Sequence, residues 1–150
     1  MRHHLKILIA LFIGGFIMSS SAWSADLREY QWKNRILLVF SPTASDPGYA
    51  AFADAVSSRS YDVKDRDLVL FWVLEKGPSR LEGQPLSQED AQDLRRRFRI
   101  KTGRFTVILI GKDGGVKMMR EDRAELQEIF DLIDSMPMRQ REMKKKGRIQ

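Results

Sequence analysis

Two continuous apolar runs constrain this chain most: Ile36-Leu37-Leu38-Val39-Phe40 and Leu68-Val69-Leu70-Phe71-Trp72-Val73-Leu74. Neither alternates apolar with polar residues. A strand with one wet face must alternate, so both runs predict strands buried on both faces, covered above and below. Between them, the turn residues Ser41–Gly48 stop the first run. Tyr49, Phe52 and Val56 then fall at i, i+3 and i+7, one face of a helix from Tyr49 to about Ser58. A strand, a helix and a second buried strand in that order imply parallel pairing of the strands.

The pattern changes downstream. Glu75–Pro85 reads as a loop, with Gly77-Pro78 and Gly83. Ser87 can cap the next helix, with Asp90 at the third position after it and Ala91, Leu94 and Phe98 facing inward. Phe105–Ile110 predicts a strand, Lys112-Asp113-Gly114-Gly115 a tight turn and Val116–Met119 the partner strand. Asp122 with Glu125 resembles a capping box before a last amphipathic helix marked by Leu126, Ile129, Phe130 and Ile133, and Pro137 is expected to end it. The predicted fold is α/β, β-α-β-α-β-β-α in order. This is a thioredoxin-like arrangement: a four-stranded mixed sheet, order 2-1-3-4, flanked by helices, with the third strand antiparallel to the first.

The chain has no cysteine, and its two histidines are His3 and His4, so residues 25–150 carry neither. That excludes thiol chemistry, disulfides, imidazole catalysis and the usual zinc sites, and no metal or other cofactor is expected. The formal charge of +6 is unevenly spread. Residues 1–24 hold two bases and no acid, Arg139–Gln150 hold six bases and one acid, and residues 25–138 net to −1. The basic character therefore lies at the ends, and no nucleic-acid-binding core is implied.

The amino terminus has the order of an export signal: basic Met1–Lys6, an apolar run of twelve residues over Ile7–Met18, then small residues around Trp23. Ala22-x-Ser24 predicts cleavage after Ser24, and the run is shorter than the roughly 20 residues that span a bilayer. The expected organisation is a signal at 1–24, a domain at 25–138 and a basic, disordered tail at 139–150. A periplasmic or secreted location, in a Gram-negative bacterium, follows from that reading. Membrane contact is expected only through the signal or weakly through the tail.

Two stretches resemble known proteins. Phe40-Ser41-Pro42-Thr43-Ala44-Ser45-Asp46-Pro47-Gly48-Tyr49 resembles the first strand-to-helix turn of peroxiredoxins, with Asp46 at the family's threonine and Tyr49 at its peroxidatic cysteine. Arg104 through Gly114 is similar to a later peroxiredoxin segment and places Arg104 at the family's arginine. Phe105 stands where thioredoxins place a proline before the third strand. A broader resemblance is to domain of unknown function 4174. It rests on Leu27, Tyr30, Trp32-Lys33-Asn34-Arg35, the glycine turn Gly111–Lys117, and Ile133–Gln140 with Glu142-Met143. That family implies a thioredoxin-like, peroxiredoxin-related domain in exported proteins, with no established activity.

The resemblance implies a former pocket at the first strand-to-helix turn. Pro42, Asp46, Tyr49 and Arg104 are its candidate ligand-binding residues, and a small anion could meet the helix N-terminus there. Alternatively, Ser45 or Asp46 caps the helix, Arg104 pairs with Asp46, and Tyr49 is core. The acids Glu89-Asp90, Glu121-Asp122, Asp131 and Asp134 read as solvated or capping rather than catalytic, and no catalytic residue is assigned. Three functions remain open. One is a non-catalytic binding module whose partner is a protein or a small anion. The second is an enzyme using carboxylates, Tyr49 or Arg104 in place of a thiol. The third is a membrane-associated protein with an uncleaved anchor.

Overall fold

A computed structural model of the protein describes residues 25–147. The expected export signal and its cleavage site after Ser24 lie outside the described residues. A 3₁₀ turn, Leu27–Tyr30, leads into β1 (Arg35–Ser41), followed by α1 (Pro47–Ser58), α2 (Ser60–Asp65) and β2 (Leu68–Leu74). A two-residue hairpin, β3 (Arg80–Leu81) and β4 (Gln84–Pro85), precedes α3 (Gln88–Arg97). The chain continues through β5 (Thr106–Ile110), β6 (Val116–Glu121), α4 (Leu126–Ser135) and α5 (Pro137–Gly147).

The strands form one sheet in the order β4-β3-β2-β1-β5-β6. β1 pairs in parallel with β2 and antiparallel with β5, so the two apolar runs lie side by side at the centre, as expected. Their lack of alternation has a direct cause. Leu37 and Val39 face α1, α2 and α4 through Phe52, Val56, Val63, Ile129 and Phe130. Ile36, Leu38 and Phe40 face the opposite layer, with Leu27, Ala91 and Leu94. Each face is dry, and fully burying one such side chain contributes about 1.5–3 kcal/mol.

Four expectations need correction. The sheet has six strands rather than four, because the expected loop holds the β3–β4 hairpin. Its turn bends at Glu82 and Gly83, both at positive φ, and Leu81 is buried against β2. Two-residue strands carry no readable period. The short helix α2, with Val63 its one buried residue, was likewise too brief to show. The capping box at Asp122 does not form: Glu125 precedes α4 without a side-chain cap, and Asp122 sits at φ 65. Finally, residues 139–147 of the expected disordered tail are helical, within α5. Pro137 follows the end of α4 and opens α5 at the position where a missing N–H costs nothing.

Candidate functional site

The β1–α1 turn holds three of the four residues singled out in the sequence. Asp46 caps α1: its Oδ1 accepts from Tyr49 N–H at 3.0 Å, and its carbonyl accepts from Ala50 N–H at 2.9 Å. Pro47 has no N–H to offer, so the turn keeps few free donors, and a carboxylate already fills the place of an incoming anion. Gly48 lets this turn lie close to Phe105, just before β5; a Cβ there would stand 3.1 Å from both Asp46 Oδ1 and the Phe105 ring. Pro42 uses its carbonyl to accept from Lys76 N–H at 3.0 Å, tying the turn to the β2–β3 connection.

Tyr49 is half-buried and meets Trp72 edge-to-face, with ring centroids 5.3 Å apart. Burial raises its phenol above the ordinary tyrosine value, with Arg80 pulling weakly the other way. The phenol is thus neutral at physiological pH. Arg104 does not pair with Asp46. Its guanidinium holds both oxygens of Asp122, at 2.7 and 2.8 Å, on an exposed surface. The structure brings Asp46 and Tyr49 together through the cap and commits Arg104 elsewhere.

A denser charge cluster lies at the opposite end of the sheet, where β1 begins and β5 ends. Arg35, 1% exposed, donates to the Arg66 carbonyl at 2.9 Å and to Glu142 at 3.1 Å. Lys112 Nζ reaches Glu142 at 2.7 Å and Asp67 at 2.8 Å. Arg139, 3% exposed, pairs with Asp134 at 3.0 Å and with Asp65. Arg66 bonds Asp134 at 2.5 Å and lies over the Phe130 ring, 4.3 Å from its centroid. Lys146 Nζ reaches Asp65 at 2.7 Å. Asp134, expected to be solvated, is therefore bound by two guanidinium groups.

These partners hold three carboxylates below their usual range. Asp65 is lowered mainly by the hydrogen bond from Lys146 and then by that from Arg139. Burial works against the charged forms of Asp134 and Glu142. It is outweighed by Arg66 and Arg139 for Asp134, and by Lys112 and Arg35 for Glu142. Among the described residues, no group of His, Cys, Asp and Glu is arranged to hold a metal ion.

The profile of a domain of unknown function, DUF4174, matches residues 26–142. The chain belongs to the DUF4174 family. Curated relatives include coiled-coil domain-containing protein 80 of Danio rerio, 27% identical over 133 aligned positions that cover 78% of this chain. Sushi repeat-containing protein SRPX2 of Xenopus laevis is 28% identical over 114 positions covering 74% of this chain. The DUF4174 chain spans only 15% and 25% of those two proteins' lengths. Among solved structures, the reduced 2-Cys peroxiredoxin of Plasmodium vivax superimposes with a TM-score of 0.57 at 15% identity, over 77% of this chain and 84% of that one. Thioredoxin peroxidase I of Plasmodium yoelii gives 0.52 at 19% identity, over 77% and 79%. At such identities the likeness shows a shared thioredoxin-like fold.

The DUF4174 domain has this fold and no cysteine. The partners of Asp26, Asp65, Asp113, Asp134 and Glu142 hold all five carboxyls below the ordinary carboxylate range. The cluster around Arg35 was not assigned a role from sequence. Its signal was a charged residue opening an otherwise apolar strand, and one acid, Glu142, among the bases of the tail.

Proposed function

We propose that this DUF4174 domain is an exported, non-catalytic binding module on a thioredoxin-like fold, without redox activity. One observation carries the reading. Tyr49, which the sequence resemblance sets at the peroxiredoxin thiol, is a neutral phenol packed on Trp72, and the chain has no cysteine. Peroxide reduction and disulfide exchange both need a sulfur nucleophile, which a methionine thioether cannot supply. An enzyme working through Asp65, Asp134 or Glu142 is disfavoured by their lowered pKa values, which suit ion pairs rather than proton transfer.

Export rests on the order of residues 1–24. Membrane anchorage through the tail is weakened, because Arg139 and Lys146 are engaged in internal ion pairs. Among the described residues no helix is long and apolar enough to cross a membrane.

The test is direct. The purified protein is given hydrogen peroxide with dithiothreitol, and separately a disulfide-bonded protein substrate. No rate above the uncatalysed background is expected, and a catalytic rate in either assay overturns the reading. Intact mass of periplasmic material tests export, with an amino terminus at or near Ala25 expected and an uncut chain counting against it.

A further inference from the structure

A groove of about 370 Å³ runs between the β5–β6 turn and the α4–α5 junction, at the end of the sheet away from Tyr49. Its volume is at the small end of the range that holds organic ligands, about 300–1,000 Å³. One wall is apolar and comes from Leu132, Met136, Pro137 and Met138. The other is cationic: Arg35, Lys112, Lys117 and Arg141 face a single acid, Asp113.

Two features of this groove point to a ligand. The Nε of Arg35 is buried and has no hydrogen-bond partner, although the other guanidinium nitrogens are engaged. A buried, unpaired donor on a charged side chain is costly to maintain. Second, the first turn of α5 is uncapped. Gln140 N–H bonds the Met136 carbonyl, so Met136 occupies the capping place with a thioether. Among the described residues, no side chain accepts from the N–H of Met138 or Arg139.

The charges can be matched in turn. Lys117 is offset by Asp113 at 2.6 Å, and Lys112 and Arg35 share Glu142. Arg141 is exposed and has no carboxylate partner among the described residues. The groove therefore has room for one negative charge beside the N-terminal turn of an eleven-residue helix.

We propose that this groove binds a small amphipathic carboxylate, with one acid group on an apolar body of about medium acyl-chain length. The acid group meets Arg141 and the free N–H groups of α5, and the apolar body lies along Met136, Met138 and Leu132. This rests on the non-catalytic reading above and names the ligand class for it.

Calorimetric titration of the purified protein with sodium decanoate, 1-decanol and sodium acetate tests the site. Decanoate should bind saturably at one site per chain. Decanol should bind at least about tenfold more weakly, the loss of one charge-assisted contact. Acetate should give no binding heat. Arg141→Ala should weaken decanoate by a similar factor with an unchanged melting temperature, and Met138→Glu should abolish binding. Equal affinity for decanol and decanoate overturns the proposal. So does an Arg141→Ala variant that binds like the parent, or the absence of decanoate binding, and none of these touches the non-catalytic reading. Mass spectrometry of the recovered decanoate separates the two ideas: intact ligand supports both, whereas a turnover product supports the site and overturns the non-catalytic reading.

Discussion

With burial holding the Tyr49 phenol protonated, exchanging it for a thiol does not by itself restore a nucleophile. Peroxide chemistry needs a thiol held well below its ordinary value of about 8.5. Here the same burial disfavours any anion, and Arg104 is bound to Asp122. Tyr49→Cys should therefore alkylate with a midpoint at or above pH 8.5 and leave peroxide unconsumed. A midpoint below 7 would refute this. Arg104→Ala should change stability in urea by no more than about 0.5 kcal/mol, because its ion pair is exposed on both sides. The buried pairs behave differently with pH. Asp65, Asp134 and Glu142 are more acidic folded than unfolded. Their contribution is complete above the unfolded values of about 3.9 for Asp and 4.3 for Glu, and is lost as pH falls through the lower folded values. The melting temperature should fall steeply below about pH 4.5. In a Glu142→Gln, Asp134→Asn double variant, the fall should be shallower.

At the scale of elements, α5 is the least expected part of the molecule. Its side chains are mostly charged or polar, and its anchors lie far away in sequence: Glu142 meets Arg35 across 107 residues, and Arg139 meets Asp65 across 74. Periodicity reports which face of a helix is apolar; it cannot report an ionic face whose partners sit on other elements. The same limit hid the β3–β4 hairpin, two residues per strand and with only Leu81 as an inward side chain. By contrast β1, β2, β5, β6 and the caps of α1 and α3 were legible, because Leu37–Phe40, Val107–Ile110, Asp46 and Ser87 each act through local pattern. Within the candidate site, Asp46 as a cap was legible, whereas the pairing of Arg104 was not, because Asp122 and Asp46 were equally available acids. Glu142→Ala should destabilise the domain by about 3 kcal/mol, since it strands the Arg35 charge in the interior. Replacing Arg35 with Met in the same background should recover part of the loss, measured by urea unfolding.

Across the whole molecule, the two ends of one sheet differ in the side chains they carry. The end carrying Tyr49 is packed with aromatic side chains, Tyr49 on Trp72 and Phe52 on Phe105. The other end carries the charges, the groove and the last helix. A chain stopped after Met136 should lose its cooperative unfolding transition and become sensitive to protease, although every strand would still be present; an unchanged melting curve would show α5 to be dispensable. The bond between Arg35 and Glu142 has a consequence in time as well as in space. β1 is the central strand and the first to be made, yet its guanidinium has no carboxylate until residue 142 has been synthesised. Closing so long a loop is an entropic cost that local contacts cannot offset early. In the nascent chain the Arg35 charge therefore waits for its carboxylate until residue 142 has emerged.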